Sequence, residues 1–202
     1  MPGYFVTGTD TGIGKTVVSA WLVHHLAAAY WKPVQSGAGP GEEGDREVVG
    51  RLSGVAAERL HPSTYCLALP RSPHEAARQE EVTISLQALH LPEERRPLIV
   101  EGAGGVLVPL NERELMVDLM VHLALPVLLV ARTQLGTINH TLLSLHCLRH
   151  AGLTVAGVIL NGAADRENRL AIEHYGQVPI LAELPWLQPL DWQRLLAVEL
   201  RL

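Results

Sequence analysis

Gly14-Lys15-Thr16 closes the stretch "GTDTGIGKT" at residues 8–16, directly after the apolar run Tyr4-Phe5-Val6. A loop that leaves a buried strand and opens a helix aims unpaired backbone N–H groups, with the positive end of the helix dipole, at one point. Phosphate is the natural occupant. In that geometry Gly12 and Gly14 let the backbone turn tightly around the anion, Lys15 reaches the β- and γ-phosphate oxygens, and the Thr16 hydroxyl can ligate Mg²⁺. The strict pattern is Gly, four residues, then Gly-Lys-Ser/Thr, yet Gly8 lies one place too early and Thr9 stands where the first Gly belongs. One extra loop residue accounts for the shift; a glycine-rich turn with an incidental Gly-Lys-Thr is the alternative.

Two further clusters supply the charges such a loop needs. In "LIVEGAGG", Glu101 closes a buried strand at the edge where open α/β sheets collect ligands, and the glycines after it allow close approach of backbone to substrate. Mg²⁺ takes a few carboxylates alongside phosphate oxygens and waters, so Glu101 is one candidate ligand and Asp45 a second. Each has a plainer reading: Glu101 as a cap on a neighbouring helix, Asp45 as an N-terminal helix residue. In "YWKPVQSG", Lys32 and Ser36 put a cation and a hydroxyl at the same edge, with Pro33 holding Lys32 extended. A second cation beside a γ-phosphate points to phosphoryl transfer onto a bound anion.

The elements that must hold these residues follow from the pattern of the chain. Its 202 residues suit a single α/β domain over 1–202. Short apolar runs at 4–7, 31–34, 98–101, 126–131, 155–160 and 178–182 read as strands of a mostly parallel sheet. Segments 15–28, 45–53, 115–124, 138–150 and 165–175 read as helices, with Gly152 and Gly176 as stops, and 35–44 reads as a loop. The first helix and "YWKPV" have no turn residues between them, so either that helix is unusually short or the natural chain carries a loop here.

Composition sets outer bounds. A formal charge of −5 without any basic block argues against a nucleic-acid partner. Cys66 and Cys147 are too isolated for a disulfide framework or zinc site, which fits a reducing cytoplasm. The N-terminus lacks a signal-peptide layout, and the apolar stretch 123–131 is broken by Pro126 and too short to span a membrane, so a soluble protein without membrane contact is expected. His146 and His150 have i, i+4 spacing but no further ligand at useful spacing, and read as an exposed helix face. Trp186 and Trp192 read as packing residues in a Pro-punctuated C-terminal region, with Trp186 as a candidate to border a bound base.

Taken together, "FVTGTDTGIGKT", "KPVQSG", "SPHEAA", "VEGAGGVLVPL", "LPVLLVARTQLGTINHTLL", "AGLTVAGVILN" and "ELPWL" closely resemble the dethiobiotin synthetase family over nearly the whole chain. The five-residue spacer of the loop is itself a mark of that family. The resemblance implies a P-loop NTPase-type three-layer α/β/α fold and a homodimer with active sites shared across subunits. It implies ATP-dependent, Mg²⁺-assisted carboxylation of 7,8-diaminononanoate with CO2 and closure of the ureido ring. By motif match, Gly12, Ile13, Gly14, Lys15, Thr16 and Val17 would hold the nucleotide's phosphates, and Asn161, Pro185 and Trp186 its adenine. Thr16, Asp45 and Glu101 would hold the metal; Thr11, Lys32, Ser36, Gly104 and Gly105 would hold the carbamate and amine end of the substrate. Thr137, Ile138 and Asn139, from the other subunit, would hold the distant carboxylate. Lys15 and Lys32 are spaced more closely than the family pattern leads one to expect. The rival is a P-loop switch of the kind that partitions DNA or positions division machinery; such proteins usually carry an extra early Lys in the loop, which this chain lacks.

Overall fold

A computed structural model of the chain describes residues 3–39, 41–187 and 192–198, the side chain of Trp192 lying outside that description. In chain order the strands are β1 (Tyr4–Gly8), β2 (Ala29–Trp31), β3 (Val34–Ser36), β4 (Leu60–His61), β5 (Tyr65–Leu67), β6 (Leu98–Glu101), β7 (Val127–Arg132), β8 (Val155–Asn161) and β9 (Ile180–Leu184). The helices are α1 (Lys15–His25), α2 (Asp45–Ser53), α3 (Pro73–Gln79), α4 (Met116–Leu123), α5 (Thr137–His150), α6 (Arg166–Gly176) and α7 (Trp192–Leu196). Seven strands form one sheet in the order β4-β2-β6-β1-β7-β8-β9, paired in parallel throughout, while β3 and β5 pair with each other.

Strands of a parallel sheet are covered on both faces and so read as unbroken apolar runs. "LIVE" in β6 is buried at every position, and so are the first five residues of β7. One face packs Phe5, Val100, Leu129 and Ala131 against Met116 and Leu119 of α4 and Leu145 of α5. The other packs Val6, Ile99, Val130 and Ile159 against Ile13, Trp21 of α1 and Leu52 of α2. The outcome is the expected three-layer α/β/α arrangement. Because the pairings are parallel, the carboxyl ends of the strands share one edge, and the glycine-rich loop, Glu101, Arg132 and Asn161 are delivered there together.

The run expected as one strand at 31–34 is two short strands in different sheets. Proline has no N–H to give a ladder, so the chain leaves the main sheet at Lys32-Pro33, and the Pro33 carbonyl instead accepts the N–H groups of Thr64 and Tyr65. The first helix ends at His25 rather than at residue 28, which leaves three residues for the turn. Leu26–Ala28 make the whole return to β2: Ala27 takes the left-handed conformation at φ 49°, and the Ala28 N–H bonds back to the Val23 carbonyl. A non-glycine residue pays roughly 1–2 kcal/mol for that conformation, offset here by the Arg59 guanidinium, which donates to the Ala28 and Val23 carbonyls at 2.6 and 3.3 Å. Gly176 is the last residue of α6, and Gln177 makes the left-handed stop.

Candidate active site

The loop from Thr9 to Gly14 begins under the end of β7, where the Thr9 N–H donates to the Val130 carbonyl. Gly14 then caps α1 at φ 91°, a conformation that favours glycine, and any Cβ there would also overlap the Asn161 side-chain amide. That amide donates to the Ile13 carbonyl at 2.8 Å and ties the loop to the end of β8. Lys15 folds back over the loop, its ammonium donating to the Asp10 carbonyl at 2.9 Å. Burial, with Lys32 nearby and against the pull of Glu101, Asp45 and Asp10, lowers the Lys15 pKa to about 8. An anion seated in the loop would favour the charged form and raise that value again.

Behind the loop, four groups from distant parts of the chain converge. The Thr16 hydroxyl lies 2.9 Å from Asp45 Oδ1 and 3.0 Å from Glu101 Oε1. The Lys32 ammonium pairs with Asp45 Oδ2 and lies 3.0 Å from Glu101 Oε1. Burial alone would push the Lys32 pKa down, but Glu101 and Asp45 outweigh it and raise it above the ordinary value. Burial likewise opposes the charge of Asp45, and Lys32 prevails, holding the carboxyl below its usual range. The Tyr30 hydroxyl donates to Glu101 Oε2 at 3.0 Å, and burial beside the Glu101 carboxylate lifts its pKa well above that of a free phenol. Gln35 accepts the Asp45 N–H at 3.2 Å and so fixes the first residue of α2.

These groups open into a cleft of about 610 Å³ whose walls include Thr11, Gly12, Gly14, Lys15, Thr16, Lys32, Ser36, Asp45, Glu101 and Gly104. The Ser36 hydroxyl is buried without a partner among the described residues. Gly105 stands outside that wall, backed against the Gly8 and Thr9 backbone. Ile13 buries its side chain in the core and Val17 packs beside it, so both would face a ligand through backbone alone. Pro185 and the largely exposed Trp186 follow β9, next to Asn161 at the strand ends; Trp186 is therefore not a core packing residue. Thr137, Ile138 and Asn139 are not brought to the cleft: the Thr137 hydroxyl donates to the Arg132 carbonyl, Ile138 packs on the core, and Asn139 borders a separate hollow with Leu143 and Tyr175. Tyr30, Gln35 and Arg71, which also lines the cleft, had no role expected from the sequence; Tyr30 and Gln35 both lie inside "YWKPVQSG", two residues before Lys32 and one before Ser36.

The donor set bears on a cation. One hydroxyl proton cannot serve two carboxylates at once, so one of the two contacts around Thr16 Oγ1 brings unbridged oxygens together. Two carboxylates and a hydroxyl, all oxygen, suit Mg²⁺, which keeps several waters and phosphate oxygens in its shell. Among the described residues no group of three or more His, Cys, Asp or Glu is placed to hold a metal by itself, and His146 and His150 stack on an exposed face of α5.

ATP-dependent dethiobiotin synthetase BioD of Paramagnetospirillum magneticum is 54% identical over 190 residues, covering 94% of this chain and 89% of that protein. The chain belongs to the dethiobiotin synthetase family. The biotin biosynthesis bifunctional protein BioCD of Bordetella avium matches at 52% identity, over 95% of this chain but 41% of that longer protein. A family model described as an AAA domain matches residues 2–194. Among solved structures, a ParA family ATPase from Chlorobium tepidum superposes with TM-score 0.58 at 13% identity, covering 98% of this chain and 90% of that one. The septum site-determining protein MinD from Pyrococcus horikoshii, complexed with Mg-ADP, gives 0.53 at 16%, covering 96% and 85%. This chain thus shares its P-loop fold with a ParA family ATPase and MinD, at an identity far below that to the synthetases.

Proposed function

We propose that this chain is an ATP-dependent ligase that converts 7,8-diaminononanoate, CO2 and ATP to dethiobiotin, ADP and phosphate in the cytoplasm. The observation that carries the reading is the convergence of Lys15 and Lys32 with Thr16, Asp45 and Glu101 in one cleft, within a chain about half identical to named dethiobiotin synthetases. A carbamate carboxylate is a poor electrophile, and phosphorylation activates it. CO2 adds to one amine with loss of a proton; a carbamate oxygen then attacks the γ-phosphorus and ADP leaves. The second amine attacks the carbonyl carbon of the mixed anhydride, expels phosphate and closes the five-membered urea.

The nucleophile is already ionised, so positioning and charge neutralisation supply most of the rate. Lys15 neutralises the transferring phosphoryl from the loop side. Lys32, in the same lining, adds a second positive charge, and Thr11, Ser36 and Gly104 bind the carbamate. Thr16, Asp45 and Glu101 would hold a Mg²⁺ ion, which supplies Lewis-acid neutralisation of the phosphate oxygens when bound. Asn161 and Pro185 border the base. The distant carboxylate lies on the start of α5 of a second copy, a reading supported by the position of Asn139 away from its own cleft, on a surface where Leu135, Leu143 and Tyr175 are exposed. Phosphate release that requires both bicarbonate and the diamine, with dethiobiotin detected by mass spectrometry, tests the proposal. Release that ignores the diamine would favour a switch ATPase instead.

A further inference from the structure

Arg132 ends β7 at the ligand edge, and the mechanism above leaves it unused. Its Nε is buried, and among the described residues no acceptor or carboxylate meets any of its guanidinium N–H groups. Leaving a buried donor unmade costs free energy that a single acceptor would recover, and guanidinium has five donors in a fixed fork. The backbone carbonyl of Arg132 is itself engaged, accepting the Thr137 hydroxyl.

The register shows which way the side chain projects. Arg132 and Asn161 are direct partners across β7 and β8, so their side chains leave the sheet on the same face. Alternation along each strand identifies that face: Val130 and Ile159, two residues earlier, pack with Ile13 of the loop, whereas Ala131 and Leu160 pack on the α4–α5 side. Asn161 reaches the Ile13 carbonyl there. Along the edge the order is Glu101, the loop after Gly8, Arg132, then Asn161, with neighbours about 4.8 Å apart.

The geometry points to Arg132 as a positioning residue for the nucleotide, its fork holding the phosphate nearest the ribose while Lys15 holds the terminal ones. A nucleotide with its γ-phosphate at Lys15 and its base at Asn161 must pass over β7, and guanidinium matches phosphate oxygens in bidentate fashion. The inference rests on the ATP site described above.

Calorimetric titration of the full chain with MgADP, AMP and adenosine tests it in the wild type, Arg132→Lys and Arg132→Gln. Arg132→Gln should weaken MgADP and AMP by about tenfold to a hundredfold and leave adenosine unchanged, with Arg132→Lys between. Because the guanidinium has no partner in the free protein, the unliganded melting temperature should not fall, while the stabilisation by MgADP should. Phosphate-bearing ligands binding within twofold of wild type would overturn the assignment. So would a rise confined to the KM for the diamine, or loss of the dimer with nucleotide affinity intact. If the wild type itself bound no MgADP, the underlying ATP reading would fail instead.

Discussion

Two hollows of this molecule are lined by basic side chains, and they lie at opposite ends of helices. The cleft at the carboxyl edge of the sheet holds Lys15 and Lys32 in about 610 Å³; a hollow beneath the ends of α1 and α2 holds His24, Arg51 and Arg59 in about 490 Å³. The first lies at helix N-termini, where N–H groups point outward with the positive ends of the dipoles. The second lies at helix C-termini, where carbonyls point outward and accept hydrogen bonds from side chains. Arg59 donates to the Ala28 and Val23 carbonyls, His24 Nδ1 meets the Ser53 carbonyl at 3.1 Å, and Arg51 is paired with Glu43 at 3.0 Å. Positive side chains therefore do not make an anion site by themselves. The lysines of the cleft have partners too, the Asp10 carbonyl and the Asp45 and Glu101 carboxylates; what sets the cleft apart is the helix N-termini, whose backbone N–H groups are left to meet an anion.

Substitutions can break this comparison most sharply in the cleft. Lys15→Gln and Lys32→Gln are each expected to lower turnover by about 10³-fold or more, since each removes a cation from the migrating phosphoryl. Steady-state phosphate release at saturating substrates measures this, and near-normal turnover of Lys32→Gln would remove that residue from the chemistry.

Proton linkage gives a second, smaller effect. With a pKa of about 8, Lys15 loses its ammonium in the free enzyme as pH rises through that value, so kcat/KM for ATP should fall above about pH 8. Bound phosphate restores the charge, so kcat should hold to higher pH. The sign for stability is the reverse: between about pH 8 and the ordinary lysine value of about 10.4 the unfolded chain binds more protons, so this group makes stability rise with pH across that window. A pH-independent kcat/KM from 7 to 9.5 would contradict the depressed value.

In the other hollow the expected effects are structural. Arg59→Met strips the α1 return of its donors and should cost about 1–3 kcal/mol in urea unfolding, with KM for ATP unchanged. A kinetic defect without loss of stability would mean that the two hollows do not divide in this way. Arg51→Ala removes an exposed ion pair and should stay within about 0.5 kcal/mol.

Much of the site was legible because it is local. Strand, glycine-rich loop and helix are contiguous from Tyr4 to His25, and Glu101 ends an apolar run whose composition alone makes it a buried strand. Other parts were missed despite a signal. Ser72-Pro73 with Glu75 two residues on is a helix-start pattern, and α3 begins there. Strands β4 and β5 span two and three residues, too short for alternation to register.

What the residues by themselves determined is the phosphate loop, the parallel sheet and the presence of two lysines and two carboxylates near strand ends, because each follows from a repeat or a turn within a few neighbours. Tertiary structure alone decided that Lys32 meets Glu101 across 69 positions of chain, that Tyr30 and Gln35 hold the carboxylates, and that Asn139 stands away from its own cleft. Those contacts depend on the order in which strands sit side by side and on where Pro33 breaks the ladder, and strand order is a global outcome of packing that no short window encodes.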